Sequence, residues 1–200
     1  STATRPRGYA AAGVKDVRPD YYARLHAVEE QHWWHVGMRE ITAALLRERL
    51  SAGHLSLLDA GCGTGGFLAW AAGTGSFDHL AGVDISAEAV ELARDTVTGA
   101  ELHVAPVDGL PFEDGCFDVA VLNDVLQHVE EHAVEAGLRE LRRVLRQDGV
   151  LLVRTNGGRH ARRERADWRL YDAGSLTAEL ERVGFQVVRI TYVNAVLSMW

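Results

Sequence analysis

The sequence predicts an α/β fold: a doubly wound, mostly parallel sheet with helices on both faces. Three observations predict it. Strand-length apolar runs alternate with helical repeats from Leu55 onward, and the run FDVAVLN (Phe117–Asn123) is apolar enough for burial on both faces. The third is LLDAGCGTGG, Leu57–Gly66, which sets four glycines directly after an apolar run. Alternation of this kind places ligands at the carboxyl ends of the strands. Glycine costs conformational entropy wherever it is fixed, so the cluster marks a close-lying ligand or a sharp turn at that edge.

Along the chain, residues 1–19 lack periodicity and read as a mobile arm. Residues 20–54 read as a helical lid segment, with Ile41, Leu45, Leu46 and Leu50 on one face of a helix from Asp20 to Leu50. Residues 55–200 read as the ligand-binding domain. In it, Leu55–Asp59 is the first strand, Gly66–Ala72 a helix and His79–Asp84 the second strand. Ser86 caps a helix through Arg94, with Glu88 and Glu91 placed to suit its dipole. Leu102–Ala105 and Phe117–Asn123 are the third and fourth strands. A helix then carries Val134, Leu138, Leu141 and Leu145 at spacings of four, three and four, with Gly149 as its stop. VLLVRT makes a fifth strand, Ser175–Val183 a helix with Gly184 behind it, and FQVVRITY a sixth strand.

Composition bounds the function. Two hundred residues with 47% apolar content suit one domain with a real core. A net charge of −7 argues against nucleic acid as a partner, and the positive charge is almost all arginine, Lys15 being the one lysine. Two cysteines, Cys62 and Cys116, make no disulfide framework and fit a reducing compartment. No apolar run approaches the ~20 residues of a membrane helix, so a cytoplasmic protein is expected.

Gly61, Gly63 and Gly66 spell G-x-G-x-x-G, and Asp84 ends the next strand. That Rossmann-like pattern fits NAD, a flavin or S-adenosylmethionine, since each offers a ribose to an acidic side chain. Two residues separate them. Asp59, immediately before the loop, would repel a pyrophosphate and attract an ammonium. Asp108, in VAPVDGLPF, is placed to accept a hydrogen bond from an adenine amino group.

LLDAGCGTGGFL, AGVDIS, VAPVDGLPFEDGCFDVAVLNDVLQHV and LRRVLRQDGVLLV resemble, in order and spacing, the motifs of class I S-adenosylmethionine-dependent methyltransferases, over roughly residues 55–192. The resemblance implies that Gly61, Cys62 and Gly63 pack against the methionine part of the cofactor, with Asp59 near its ammonium. Asp84 would hold both ribose hydroxyls, Ile85 would cover the adenine, Asp108 would take the adenine amino group and Gly109 would offer its amide. Asn123 would face the methionine group and the methyl. It also implies a seventh, antiparallel strand beside the sixth, for which the eight residues after Thr191–Tyr192 leave too little chain.

Three further stretches stand out. HVEEH (His128–His132) matches a zinc-protease pattern, but no third ligand is evident and no metal is expected; His128 is a candidate general base, with a packing role as its alternative. EEQHWWHVGMRE (Glu29–Glu40) resembles the amino-terminal segment of a methyltransferase subset. It offers Trp34 for cation–π contact with the sulfonium and Arg39 for the methionine carboxylate. RHARRERADWRLYD groups Arg159, Arg162, Arg163 and Arg165 into a positive patch suited to an anionic or carrier-bound acceptor, with His160 and Tyr171 facing substrate. The sequence thus predicts an S-adenosylmethionine-dependent methyltransferase acting on a hydroxyl or amine of a small molecule, His128 and His160 being its candidate catalytic residues. An NAD-dependent oxidoreductase and a non-catalytic cofactor-binding partner are the competing readings.

Overall fold

The computed structural model describes residues 21–29, 31–50, 53–157 and 169–193. The expected arm at 1–19 and the arginine stretch with Arg159, His160, Arg162, Arg163 and Arg165 lie outside them. The elements are α1 (Tyr21–Val28), α2 (Trp33–Leu50), β1 (Leu55–Ala60), α3 (Gly66–Gly73), β2 (Phe77–Asp84), α4 (Ala87–Thr96), β3 (Glu101–Val104), β4 (Phe117–Asn123), α5 (Glu131–Val144), β5 (Leu145–Arg154) and α6 (Ala173–Arg182). A 3-10 turn, Leu126–His128, follows β4.

Five strands form one sheet in the order β3-β2-β1-β4-β5, and every pairing is parallel. The order reverses between β1 and β4, and in open α/β sheets the crevice outside the strand ends at that switch is where ligands sit. Strand periodicity builds a core on each face. Leu58 and Ala60 of β1 join Ala120 and Leu122 of β4 under Val134, Leu138 and Leu141 of α5. Leu55 and Leu57 join Val119 and Val121 under Leu68 of α3 and Val90 of α4. This two-sided burial is why FDVAVLN carries no polar face. Leu141, fully buried at the centre of the α5 face, is expected to cost about 2–5 kcal/mol when replaced by alanine, read as a lower urea midpoint at unchanged slope.

Ser86 caps α4 as predicted, its Oγ accepting from the Ala89 amide at 3.2 Å. Four elements differ from the sequence reading. The N-terminal helix breaks after Glu29, and α2 buries Met38, Thr42 and Leu46 at four-residue spacing, leaving Ile41 and Leu45 half-buried beside that stripe. Helix α5 ends at Val144 rather than at Gly149, because the Arg143 and Val144 carbonyls accept from the Gly115 and Cys116 amides and pull the helix end against the start of β4. Gly149 then falls inside β5, where the register slips between Phe117 and Val119 and the Arg146 guanidinium pairs with Asp118.

The third difference is the sixth strand. Residues 185–193 form no strand, since no neighbouring strand among the described residues offers them a ladder. Phe185 and Val187 pack against the core, but Val188 is left 91% exposed. Helix α6 also starts earlier than predicted. Asp172 is its cap, accepting from Ser175 N at 2.8 Å, while Ser175 Oγ accepts from Asp172 N at 3.1 Å.

Candidate cofactor site

The turn after β1 is set by its glycines. Gly61 (φ +93°) and Cys62 both donate to the Val83 carbonyl, at 2.7 and 2.9 Å, which tucks the loop against the end of β2. A Cβ on Gly61 would stand 2.1 Å from Val125 Cγ2, so the loop also lies against the chain leaving β4. Cys62 is buried and its thiol is pushed up by burial, then by Asp59 and Asp84, which keeps it protonated and apolar in character.

Asp84 closes β2 beside this loop. Its Oδ2 accepts from Gly63 N at 3.0 Å and its Oδ1 from Ser86 N at 2.9 Å. Burial raises its pKa, and the amides of Ser86, Gly63 and Ile85 oppose the rise. Ile85 follows with 41% of its surface exposed, an apolar side chain left open at the strand ends. Tyr22 of α1 stands over the same point. Its phenol is hydrogen-bonded to Ser86 and pushed up to about 12, by burial first and by the Asp84 charge second.

Asp59 lies behind the loop, 2% exposed, and its Oδ1 has no hydrogen-bond partner among the described residues. Burial pushes its pKa up to about 7 against the pull of Arg154. At the end of β4 the Oδ1 of Asn123 is likewise buried without a partner. Buried acceptors are almost always paired, so two orphans at the switch point mark a place for a donor. The next residue, Asp124, is left-handed (φ +56°), and its Oδ2 takes Nε and Nη2 of Arg154 at 2.9 and 2.8 Å.

Asp108 and Gly109 are exposed in the turn after β3, and the Gly109 amide donates to the Pro106 carbonyl at 3.2 Å instead of standing open. Arg143 of α5 braces this loop, with Nη1 on the Phe112 carbonyl at 2.8 Å and Nη2 on the Leu110 carbonyl at 3.0 Å. Helix α2 brings Trp34 and Arg39, both half-buried; the Arg39 charge acts on Glu29 and His35. Trp33 is 64% exposed and meets Trp34 edge-on at 5.9 Å. His128 is exposed in the 3-10 turn, its pKa lowered by partial desolvation against the opposing charge of Asp124. His132 lies apart, in a cavity of about 270 Å³ between α5 and α6 shared with Glu131, Glu179 and Arg182. Among the described residues no three His, Cys, Asp or Glu side chains group as metal ligands.

The structure therefore gathers Asp59, Gly61, Cys62, Gly63, Asp84 and Asn123 at the switch point, with Ile85, Asp108 and Gly109 along the same edge. It adds three residues the sequence reading missed: Tyr22, Glu29 and His35. Glu29 is buried, and its Oε1 accepts from Thr64 Oγ1 at 2.5 Å. His35 is half-buried and lowered by burial, with Arg154, Arg39 and Asp124 near enough for their charges to act on it. Only their position beside the HWW element could have flagged Glu29 and His35.

A parallel sheet reversing at β1, a glycine turn into α3 and an acid ending β2 define a domain of the class I S-adenosylmethionine-dependent methyltransferase type. Residues 58–153 match the family model of the methyltransferase domain, so this segment is a domain of that family. Helix α2 and the HWW element lie outside the matched residues.

The chain is 36% identical over 104 residues to the ubiquinone/menaquinone biosynthesis C-methyltransferase UbiE of Geotalea uraniireducens, covering 48% of this chain and 43% of that protein. It is 32% identical over 101 residues to the malonyl-[acyl-carrier protein] O-methyltransferase of Pectobacterium atrosepticum, covering 50% and 38%. Among solved structures, that of the [4+2]-cyclase SpnF is similar with a TM-score of 0.67 at 26% identity, covering 80% of this chain and 62% of that one. The chain thus spans less than half the length of these two curated relatives. No described helix is long and apolar enough to cross a membrane.

Proposed function

We propose that this chain is an S-adenosylmethionine-dependent methyltransferase that moves a methyl group to a hydroxyl or amine of a small molecule. One observation carries the reading: the glycine turn is backed by carboxyls where a dinucleotide needs positive charge. Dinucleotide folds offer the helix N-terminus after the loop to a pyrophosphate. Here the carboxyl of Glu29 already meets the Gly66 amide at that place, and Asp59 stands behind. A ligand with an ammonium suits this charge; a diphosphate does not.

The residues fit the cofactor. Asp59 Oδ1 and Asn123 Oδ1 are unpartnered acceptors for its ammonium, and Arg39 is the cation for its carboxylate. Asp84 would hold the ribose hydroxyls, with Ile85 against the adenine and Asp108 on the adenine amino group. Gly61, Cys62 and Gly63 leave room for the backbone to lie close. When bound, the cofactor supplies a methyl group already activated on a sulfonium. The chain's own work is positioning, worth ~7–11 kcal/mol when the acceptor is held in line, and Trp34 adds an aromatic face for the positive charge.

Proton removal falls to His128. Its pKa is lowered by desolvation, which favours the neutral imidazole that a general base toward an acceptor hydroxyl requires. His35 is lowered for the same reason on the α2 side. His160 is a second candidate for this role. One curated relative is named as an O-methyltransferase of a carrier-bound acid, which supports an oxygen acceptor held on a carrier protein; the other is named as a C-methyltransferase. The cyclase among the structural neighbours favours one second reading, in which the domain binds the cofactor without transferring its methyl.

Turnover decides between them. S-adenosylhomocysteine formation from S-adenosylmethionine is measured across a panel of hydroxyl and amine acceptors, free and carrier-bound, with wild type and His128→Ala. Transfer to at least one acceptor is expected, with hydroxyl transfer reduced about 10²–10⁴-fold in the variant. Cofactor binding without transfer to any acceptor would favour the second reading.

Asp59 makes cofactor binding pH-dependent. The ammonium needs the ionised carboxylate, so affinity for S-adenosylhomocysteine is expected to rise up to ~10-fold per unit between pH 5.5 and 7, then level off. The ligand-free protein should show the opposite trend. Its folded state holds the Asp59 proton more tightly than the unfolded chain, where the carboxyl has an ordinary pKa. Stability therefore falls as pH rises from about 4 to about 7, by ~1.4 kcal/mol per unit for this one group. Asp59→Asn should flatten both profiles, as followed by calorimetry and by urea titration at each pH.

A further inference from the structure

Among the described residues of the turn between α1 and α2, Glu29 is the buried carboxylate that reaches the glycine loop. It is 8% exposed, and its carboxyl is hydrogen-bonded to that loop and to the start of α3. Oε1 accepts from the hydroxyl of Thr64, itself fully buried, and the Gly66 amide donates to the same carboxyl. The fit is close: a Cβ on Gly66 would lie 2.5 Å from Glu29 Cδ, so a glycine at the first position of α3 is what admits this side chain. The backbone of Glu29 ends α1, its N–H donating to the Leu25 carbonyl at 2.9 Å. Helix α1 is tied again at its first turn, through Tyr22 to Ser86, and in its last turn through His26 Nδ1 to Thr96 Oγ1 at 3.2 Å. Helix α1, outside the sheet and followed directly by α2, is therefore fastened to the two loops, after β1 and after β2, that would hold the cofactor, and to the end of α4.

We propose that Glu29 is a positioning residue: by holding Thr64 and the first amide of α3, it clamps α1 and α2 onto the glycine loop. Cofactor binding and the ordering of the α2 face that carries Trp34, His35 and Arg39 are then one event. This rests on the cofactor reading above. It assigns the helical segment a lid role through one side chain. It also explains why a sequence rich in acid keeps a carboxyl at a helix N-terminus, where its charge is favourable. Removing the carboxyl leaves two buried donors, Thr64 Oγ1 and the Gly66 amide, without their partner, and such donors are costly to leave unpaired.

The test combines S-adenosylhomocysteine titration with hydrogen exchange on the full chain, for wild type, Glu29→Ala, Glu29→Gln and Thr64→Val. In wild type the ligand is expected to slow exchange over 61–66 and over 33–47 together. Glu29→Ala should raise the dissociation constant at least 10-fold, keeping ligand protection at 61–66 and losing it over 33–47. Glu29→Gln, which retains one acceptor oxygen, should recover part of both. A folded Glu29→Ala protein with wild-type affinity and wild-type protection of 33–47 overturns the proposal. If Glu29→Ala does not fold by circular dichroism, Thr64→Val removes only the donor and is read in its place; unchanged protection of 33–47 there overturns it equally. If wild type does not bind the ligand, the cofactor reading fails instead. The clamp is then judged from ligand-free exchange, where 33–47 must exchange faster in the variant than in wild type.

Discussion

Gly61→Ala is expected to destabilise the domain by about 2–5 kcal/mol and to remove cofactor binding in whatever protein remains folded. Two independent costs meet at this residue. Its φ of +93° lies where side-chain-bearing residues are disfavoured by roughly 1–2 kcal/mol. The new Cβ would also fall 2.1 Å from Val125 Cγ2, and forcing a methyl into a packed site costs about 1–3 kcal/mol. The loop has little freedom to move away, because its Gly61 and Cys62 amides share the Val83 carbonyl. Urea denaturation measures the first consequence and titration with S-adenosylhomocysteine the second. The double variant Gly61→Ala/Val125→Ala separates the two costs: it should recover the part due to the clash and keep the part due to φ. Full recovery would show that the backbone conformation is not strained, and no recovery would show that the clash is not the cause.

Asp84→Ala is expected to weaken S-adenosylhomocysteine binding by about 10²–10⁴-fold. A carboxylate that holds two ribose hydroxyls contributes two charge-assisted hydrogen bonds, each worth roughly 1.5–3 kcal/mol. The same side chain also fixes the Gly63 amide on one oxygen and the Ser86 amide on the other, so its loss loosens the glycine turn as well. Asp84→Asn distinguishes these duties. One oxygen remains to hold an amide, so the loop should stay ordered while affinity falls. Equal affinity in wild type and both variants, measured by calorimetry, would remove Asp84 from the site.

Much of this was legible in the sequence, for reasons visible in particular residues. The strands β1 and β4 are buried on both faces and so had to be mostly apolar; the turn between β1 and α3 needed its glycines; Ser86 had to cap α4. These are local demands of backbone and burial, and they leave local marks. The class I methyltransferase domain followed from the same motifs, and the match over residues 58–153 agrees. What the sequence reading missed was set by tertiary contact. The end of α5 is decided at Val144 by two amides from the neighbouring segment, Gly115 and Cys116, which no helical pattern announces. The expected sixth strand has a suitable alternation at Phe185 and Val187 but no ladder partner among the described residues.

At the site the same division holds. Asp59, Asp84 and the glycines stand at strand ends, where position follows from the strand pattern. Glu29 reaches the site across 35 positions of sequence to Thr64, and nothing in EEQH says which of its acids turns inward. Tyr22 and His35 were missed for the same reason: their placement depends on how α1 and α2 lie against the sheet. The Gly109 amide shows the converse. A motif position marked it as a donor to the cofactor, and the turn it sits in gives that N–H to Pro106.

The central claim is that the glycine turn between Asp59 and Asp84 takes an adenosyl ligand bearing an ammonium rather than a dinucleotide. Calorimetric titration of the wild-type chain with S-adenosylhomocysteine and, separately, with NAD tests it directly. The account predicts micromolar binding of the first and none of the second at pH 7.5. Binding of NAD with no binding of S-adenosylhomocysteine would contradict it, and would mean that the carboxyls of Asp59 and Glu29 do not exclude a diphosphate.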